Sequence, residues 1–271
     1  MNKKTRTSVK SYQNNEFLNS THARELRILA EYLEPESRFA HYRVDDTIVF
    51  FGSARCIPRE QAETELEKAR HGEGDLEQAK IRVEMSQYYE AAREMARRLT
   101  EWSKNLADDE RRFVVCTGGG PGIMEAANRG ASEAKGINVG LTISLATEES
   151  GNSYITRELE LHFHYFFMRK FWFAYLAKAL IVFPGGFGTL DELFELLTLL
   201  QTRKISKHLP VVLYGTKYWD EVINFDALIR YGSISADDFN LLYRTDSVDE
   251  ACEYVISQLG QYALEERGAI L

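Results

Sequence analysis

The chain has 271 residues, 44% of them hydrophobic and 27% charged, the make-up of an ordinary globular protein long enough to bury a full core. A net charge of −8 and a pI near 5.4 argue against general affinity for nucleic-acid polymers, which needs a basic face, but a local positive pocket could still take a nucleotide monomer. No stretch is apolar for long enough to span a bilayer and no apolar run follows Met1-Asn2-Lys3-Lys4, so the default expectation is a cytoplasmic protein with no membrane partner.

Residues 1 to about 20 are polar without periodicity and predict a flexible tail. From His22 to Leu33, the residues Leu26, Leu29, Ala30 and Leu33 fall at helical spacing, and Pro35 is expected to end that helix. Residues 1–44 thus read as a tail with an appended helix, and 45–271 as one nucleotide-binding catalytic domain. Thr47–Phe51 reads as the first strand. The charged segment from Arg59 to Arg98, broken at His71-Gly72-Glu73-Gly74-Asp75, suggests two helices with a solvated face, the second running towards Lys104. After it the pattern alternates: strands at 112–116, 137–142, 179–183, 210–214 and near 241–243, and helices at 121–135, 165–177, 188–203, 216–230 and 247–264. An irregular stretch spans Ser144 to Arg157. Alternating helices and apolar strands imply an α/β fold with a doubly wound parallel sheet, Rossmann-like, in a single domain with an added N-terminal helix. Cys56, Cys116 and Cys252 are odd in number and far apart, which suggests neither a disulfide framework nor a metal site. Cys116 reads as a small buried hydrophobe.

Two strand ends carry glycine-rich turns. Ala179-Leu180-Ile181-Val182-Phe183 runs into Pro184-Gly185-Gly186-Phe187-Gly188-Thr189-Leu190-Asp191-Glu192 and then into a helix. Glycines there expose backbone N–H groups without Cβ obstruction, and the helix N-terminus adds free donors and partial positive charge, a combination suited to a phosphate. Thr189 can cap the helix or donate to the same anion. Upstream, Phe113-Val114-Val115-Cys116 leads into Thr117-Gly118-Gly119-Gly120-Pro121-Gly122, with Pro121 expected in the first turn of the next helix. Ligands of such sheets bind beyond the carboxyl ends of the strands, where both turns, Gly52-Ser53 and Ile143-Ser144 should lie. No lysine of a Walker motif follows the glycines, and the GxGxxG spacing of a dinucleotide fold is absent.

These motifs, GGGPGIMEAANRGA, Met168-Arg169-Lys170 and PGGFGTLDE, with Phe51-Gly52-Ser53 at the first strand end, resemble the LOG ("Lonely guy") family of cytokinin-activating phosphoribohydrolases, often mislabelled "lysine decarboxylase". The resemblance covers about residues 46–230. Glu125-Ala126 stands where the family's GGG motif closes on glycine, and Phe167-Met168 where it has His-Glu before Arg-Lys. These departures, with the N-terminal extension and the charged insertion, place the chain in an outlying branch.

The resemblance implies hydrolysis of the N-glycosidic bond of a nucleoside 5′-monophosphate, a cytokinin riboside monophosphate or an AMP-like nucleotide, to free base and ribose 5-phosphate, with neither metal nor cofactor. It also implies a homodimer with sites near the subunit boundary. Such a bond breaks through an oxocarbenium-like ribose, so a carboxylate is needed to offset the charge, hold hydroxyls and orient water. Glu192, one turn into the helix, is the candidate, while its neighbour Asp191 points about 100° away. The resemblance makes Arg169 the catalytic arginine, gripping phosphate or assisting the departing base. Lys170 would point elsewhere. Ser53, Gly118, Gly119, Gly120, Gly185, Gly186, Gly188 and Thr189 are the candidate substrate- and phosphate-binding residues. A run of aromatics from Tyr165 to Tyr175 fits core or a subunit interface. The competing reading is a carrier that holds a nucleotide or a molybdenum cofactor without turning it over; it needs the glycine turns but not both Arg169 and Glu192. Lysine decarboxylation would require a pyridoxal Schiff-base lysine with its supporting site, for which there is no context.

Overall fold

Thr47–Phe51 (β1), Val114–Thr117 (β2), Asn138–Ile143 (β3), Ala177–Val182 (β5) and Val211–Tyr214 (β6) are buried at every position. Only a sheet covered by helices on both faces gives such strands, and their largely apolar character is its signature. With Glu160–Phe163 (β4) and Leu242–Thr245 (β7) they form one sheet in the order β4-β3-β2-β1-β5-β6-β7, every neighbouring pair parallel. This computed structural model describes residues 8–106, 111–144, 151–265 and 268. Parts of the expected tail (1–7) and of the expected irregular stretch (145–150) lie outside the described residues.

The helices are Asn15–Leu18 (α1), Arg24–His41 (α2), Arg59–Arg70 (α3), Leu76–Lys104 (α4), Ile123–Glu133 (α5), Phe166–Leu176 (α6), Phe187–Gln201 (α7), Thr216–Val222 (α8), Phe225–Arg230 (α9), Ala236–Phe239 (α10) and Val248–Tyr262 (α11). None is long and apolar enough to cross a membrane among the described residues. One cluster of buried side chains joins the sheet to α6 and α7, the other joins it to α4, α5 and α11. The chain winds outward from β1 through β2 and β3 to β4, then returns to place β5 against the other side of β1. The crevice at that reversal, beyond the carboxyl ends of β1 and β5, is where a doubly wound sheet takes its ligand. Backbone bonds knit the two strand ends together: Phe183 donates to the Phe51 carbonyl at 2.8 Å and Ser53 to the Pro184 carbonyl at 2.9 Å.

Several expectations need correction. Pro35 does not end the first long helix but lies buried within α2, which continues to His41. A proline leaves the carbonyl four residues earlier without its amide partner; here the indole of Trp172 donates to the Glu31 carbonyl at 3.0 Å and takes that role. The regular stripe Leu26, Leu29 and Leu33 faces outward, while Ile28, Tyr32, Pro35 and Phe39 meet the core. Pro121 precedes α5 rather than opening it, because Gly122 takes the cap position at φ +73, where any Cβ would collide with the Ser53 carbonyl. The expected helix 216–230 is two, divided at Ile223-Asn224, where the Asn224 side chain accepts from the Ala227 amide and starts α9. β4 is a strand the sequence reading does not include; at the sheet edge its alternating burial leaves no apolar run to mark it.

The indole contact has a measurable consequence. Trp172→Phe keeps an aromatic ring but leaves the Glu31 carbonyl unpaired, and the protein should lose about 1–3 kcal/mol in urea unfolding. An unchanged midpoint would show that this carbonyl is satisfied otherwise.

Candidate active site

A cavity of about 600 Å³ opens at the β1/β5 reversal. Of the residues singled out from sequence, Ser53, Gly118, Arg169, Gly185, Gly186, Gly188, Thr189 and Glu192 line it. Gly119 and Gly120 do not. Gly119, at φ +74, lies against Thr142 and Ile155, and both carbonyls accept from the Asn152 amide at 3.1 Å, so these two residues shape the turn from behind.

The β5–α7 turn presents a helix start to the cavity. Gly186 caps α7, and the first intrahelical bond runs from Leu190 to the Gly186 carbonyl at 3.0 Å, leaving the preceding amides without helix partners. A Cβ at Gly186 or Gly188 would meet nothing within 4 Å, so both face open cavity. Gly185 differs: a Cβ there would collide with the Thr189 side chain and come within 3.0 Å of the Ser53 amide. It is the close approach of two strand ends that requires glycine at 185, whereas at 188 the backbone is ordinary helix. No acidic residue occupies the first turn of α7 to compete for the positive end of the dipole.

Glu192 projects from the next turn and is 13% exposed. Its Oε1 accepts from Nη2 of Arg169, equally buried, at 3.1 Å. Burial in the cavity wall pushes the carboxyl up to about 7, with Asp191 and Glu195 adding to the rise and the cations of Arg169 and Lys170 opposing it. The Arg169 guanidinium also lies 5.3 Å from the Phe166 ring centre and 5.6 Å from that of Phe173, and its Nε is buried without a hydrogen-bond partner. Next to this pair, Lys170 bridges Asp191 at 2.8 Å and Glu195 at 2.9 Å. Lys170 is therefore a strut between α6 and α7 rather than a surface residue. Burial alone would lower its pKa, but the bonds to the two carboxylates more than offset this and raise it. Asp191 faces Lys170 instead of the cavity, in keeping with its expected orientation.

Arg55, which follows the first strand and from the sequence could touch a nucleotide, also lines the cavity, whereas Tyr218, Met85 and Met124 were not legible in the sequence. Tyr218 comes from the first turn of α8 and donates its hydroxyl to the Gly185 carbonyl at 2.8 Å, bracing the glycine turn from the adjacent strand end. Met85 comes from α4, read from its charges as a solvated face; the helix in fact buries Tyr89, Ala92, Met95, Ala96 and Leu99 and reaches over the site. Met124 and Arg55 complete that wall. Glu125 does not line the cavity and accepts from the Tyr89 hydroxyl at 2.7 Å. Cys56, Cys116 and Cys252 are all free and buried.

Residues 124–255 match the family described as "Possible lysine decarboxylase". A curated Escherichia coli (strain K12) protein, "Pyrimidine/purine nucleotide 5′-monophosphate nucleosidase", is 32% identical over 121 residues, which cover 40% of this chain and 25% of that protein. The chain therefore spans only about a quarter of this relative. Among solved structures, the molybdenum cofactor binding protein of Rippkaea orientalis is 15% identical (TM-score 0.46, covering 79% of this chain and 95% of that one), and the molybdenum cofactor carrier protein of Chlamydomonas reinhardtii 16% identical (TM-score 0.42, covering 79% and 98%).

The raised carboxyl of Glu192 predicts a titration. In ¹³C NMR of carboxyl-labelled protein, a resonance missing from Glu192→Gln should titrate with a midpoint near 7. Arg169→Met, which removes an opposing cation, should move it higher. Since the folded value exceeds the unfolded one, the stability this group contributes is complete below the ordinary carboxylate range and is lost as pH rises through 7. A midpoint near 4.5 would contradict the burial argument.

Proposed function

We propose that this chain, which carries a domain of the family described as "Possible lysine decarboxylase", is a nucleoside 5′-monophosphate phosphoribohydrolase that releases free base and ribose 5-phosphate. The observation that carries the reading is the buried Arg169–Glu192 pair standing one helical turn from the start of α7, whose free amides suit an anion. The 5′-phosphate would rest on the first-turn amides, with the Thr189 and Ser53 hydroxyls near. That seat presents the ribose to Glu192.

In this mechanism the C1′–N bond breaks with its electron pair leaving on the base. The carboxylate of Glu192 offsets the positive charge on the sugar and accepts a proton from the water that adds to C1′; the departing base takes up a proton. A carboxyl titrating near 7 is suited to passing a proton at neutral pH. Arg169 supports the charge that develops on the leaving side. Both purine and pyrimidine nucleotides fit a seat that reads phosphate and ribose, and a cytokinin riboside monophosphate is one such substrate. The nucleotide pool it draws on is consistent with the cytoplasm. Lysine decarboxylation is not supported, because the cavity's neighbouring lysine, Lys170, is held by two carboxylates.

A panel of nucleoside monophosphates analysed by chromatography should yield free base from at least one, while the unphosphorylated nucleosides, lacking the anchor, should be turned over far more slowly. Glu192→Gln should lower turnover by about 10² or more with little change in affinity for ribose 5-phosphate. Gly188→Val should instead abolish ribose 5-phosphate binding in calorimetry by filling open cavity, with the fold retained. Wild-type turnover in Glu192→Gln would remove the catalytic assignment and favour a carrier.

We further propose a homodimer. Within the aromatic run Trp172 and Phe173 are buried, but Phe166 and Phe167 are 50% and 55% exposed, and Phe187, at the lip of the cavity, is 92% exposed. Such a cluster suits a subunit contact. Light scattering at micromolar concentration should give at least twice the chain mass, and a monomer there would refute the contact.

A further inference from the structure

We infer that Glu31, on the appended helix α2, and Lys207, in the segment before β6, are positioning residues that hold the two ends of α6 and thereby aim Arg169; the inference rests on the catalytic role given to Arg169 above. Helix α6 has only 11 residues, with Arg169 at the fourth, so Arg169 moves with the helix start. Lys170 ties the helix to α7, but nothing in the sequence of α6 caps its start. There is no side-chain cap at Tyr165 and no acidic residue in the first turn. The need is met from α2: one oxygen of Glu31 accepts the His164 amide at 2.8 Å and the other accepts the Tyr165 amide at 3.1 Å. A carboxylate at a helix N-terminus also carries the charge the dipole favours.

The same residue grips α6 twice, since its backbone carbonyl, freed by Pro35, accepts the Trp172 indole. Ring contacts reinforce the seam: Phe39 and Trp172 lie 5.4 Å apart, Tyr32 and Phe171 5.5 Å. At the other end α6 passes straight into β5, and its last turn contains no basic residue. Buried Lys207 donates to the carbonyls of Ala174 at 2.6 Å and Tyr175 at 2.9 Å. Burial, with a smaller contribution from nearby Lys178, pushes its amine down to about 7, and either protonation state keeps N–H donors for those carbonyls. An element tied at both ends by side chains from outside itself has little freedom to slide. The Arg169–Glu192 bond, at 3.1 Å, has no slack for such a slide.

The test is a double-mutant cycle on the full chain, at a temperature where circular dichroism shows every variant folded. Glu31→Gln cannot accept both amides, and its kcat should fall about ten- to a hundredfold, with KM and ribose 5-phosphate affinity within twofold, because the phosphate seat lies on α7. Lys207→Met should act in the same direction. If Glu31 works through Arg169, then Glu31→Gln added to Arg169→Ala should cost no further turnover. A role confined to stability would lower the unfolding midpoint and leave kcat of the folded protein unchanged; that result beside an inactive Arg169→Ala overturns the positioning role alone. Losses that multiply in the double variant overturn it as well. Full turnover by Arg169→Ala would instead remove the reading of the site on which the inference stands.

Discussion

Arg169 and Glu192 stand on different helices, and each is nearly sealed from solvent, so neither charge is tolerable there without the other. A buried carboxylate facing one well-placed guanidinium, with nothing else, would be an inert strut fixed in its ionised form. Here the compensation is incomplete. Asp191 and Glu195 flank Glu192 with negative charge, the Arg169 cation is shared with the Phe166 and Phe173 rings, and the carboxyl settles near 7 instead of deep in the acid range. The outer pairs of Lys170 with Asp191 and Glu195 bind the same two helices beside the inner pair. One helix–helix seam thus contains a structural ion-pair set at its rim and a poised pair at its centre.

The topology explains why that seam meets the glycine turn at the start of α7. Both α6 and α7 flank β5, the strand laid against β1 when the winding reverses. α6 enters β5 and α7 leaves it, so the residues before the strand and those after it are brought side by side on one face. The glycine turn must then pass close to the end of β1: the Ser53 amide donates to the Pro184 carbonyl at 2.9 Å, and a Cβ at Gly185 would come within 3.0 Å of the same amide. A sheet of this type therefore creates the crevice, the donors at its floor and the adjacency of the two charged helices in a single fold decision.

Most of this was readable before the structure, for identifiable reasons. Strands buried on both faces are written as largely apolar runs, and the PGGFGTLDE turn states both its glycines and its helix start, so the sheet and the α7 end were legible. What escaped depends on contacts distant in sequence. Pro35 reads locally as a stop, and only the indole of Trp172, 137 positions away, lets the helix continue. The charges of α4 conceal a buried stripe because Tyr89, Ala92, Met95, Ala96 and Leu99 are spread among many more polar residues. Gly119 and Gly120 belong to a motif that reads as a phosphate loop, yet Asn152 turns both carbonyls away from the cavity. Tyr218 carried no signal at all, since only the neighbouring position of β6 brings it to Gly185.

The segment matched by the family, residues 124–255, contains Arg169, Glu192 and the whole β5–α7 turn, but not the loop after β1 or the helices α2, α3 and α4. On the proposed reading this divides the labour. Bond breaking and phosphate anchoring come from the shared segment, and its geometry is held in place from outside by Glu31. The remaining wall, with Met85 and Arg55, also comes from outside. Ser53 is the one seat residue contributed by that part of the chain, and its position is fixed by the Pro184 carbonyl. The cavity is thus assembled from two parts of the chain: Arg169, Glu192 and the β5–α7 turn lie within the matched segment, and Arg55 and Met85 reach it from the loop after β1 and from α4, outside that segment.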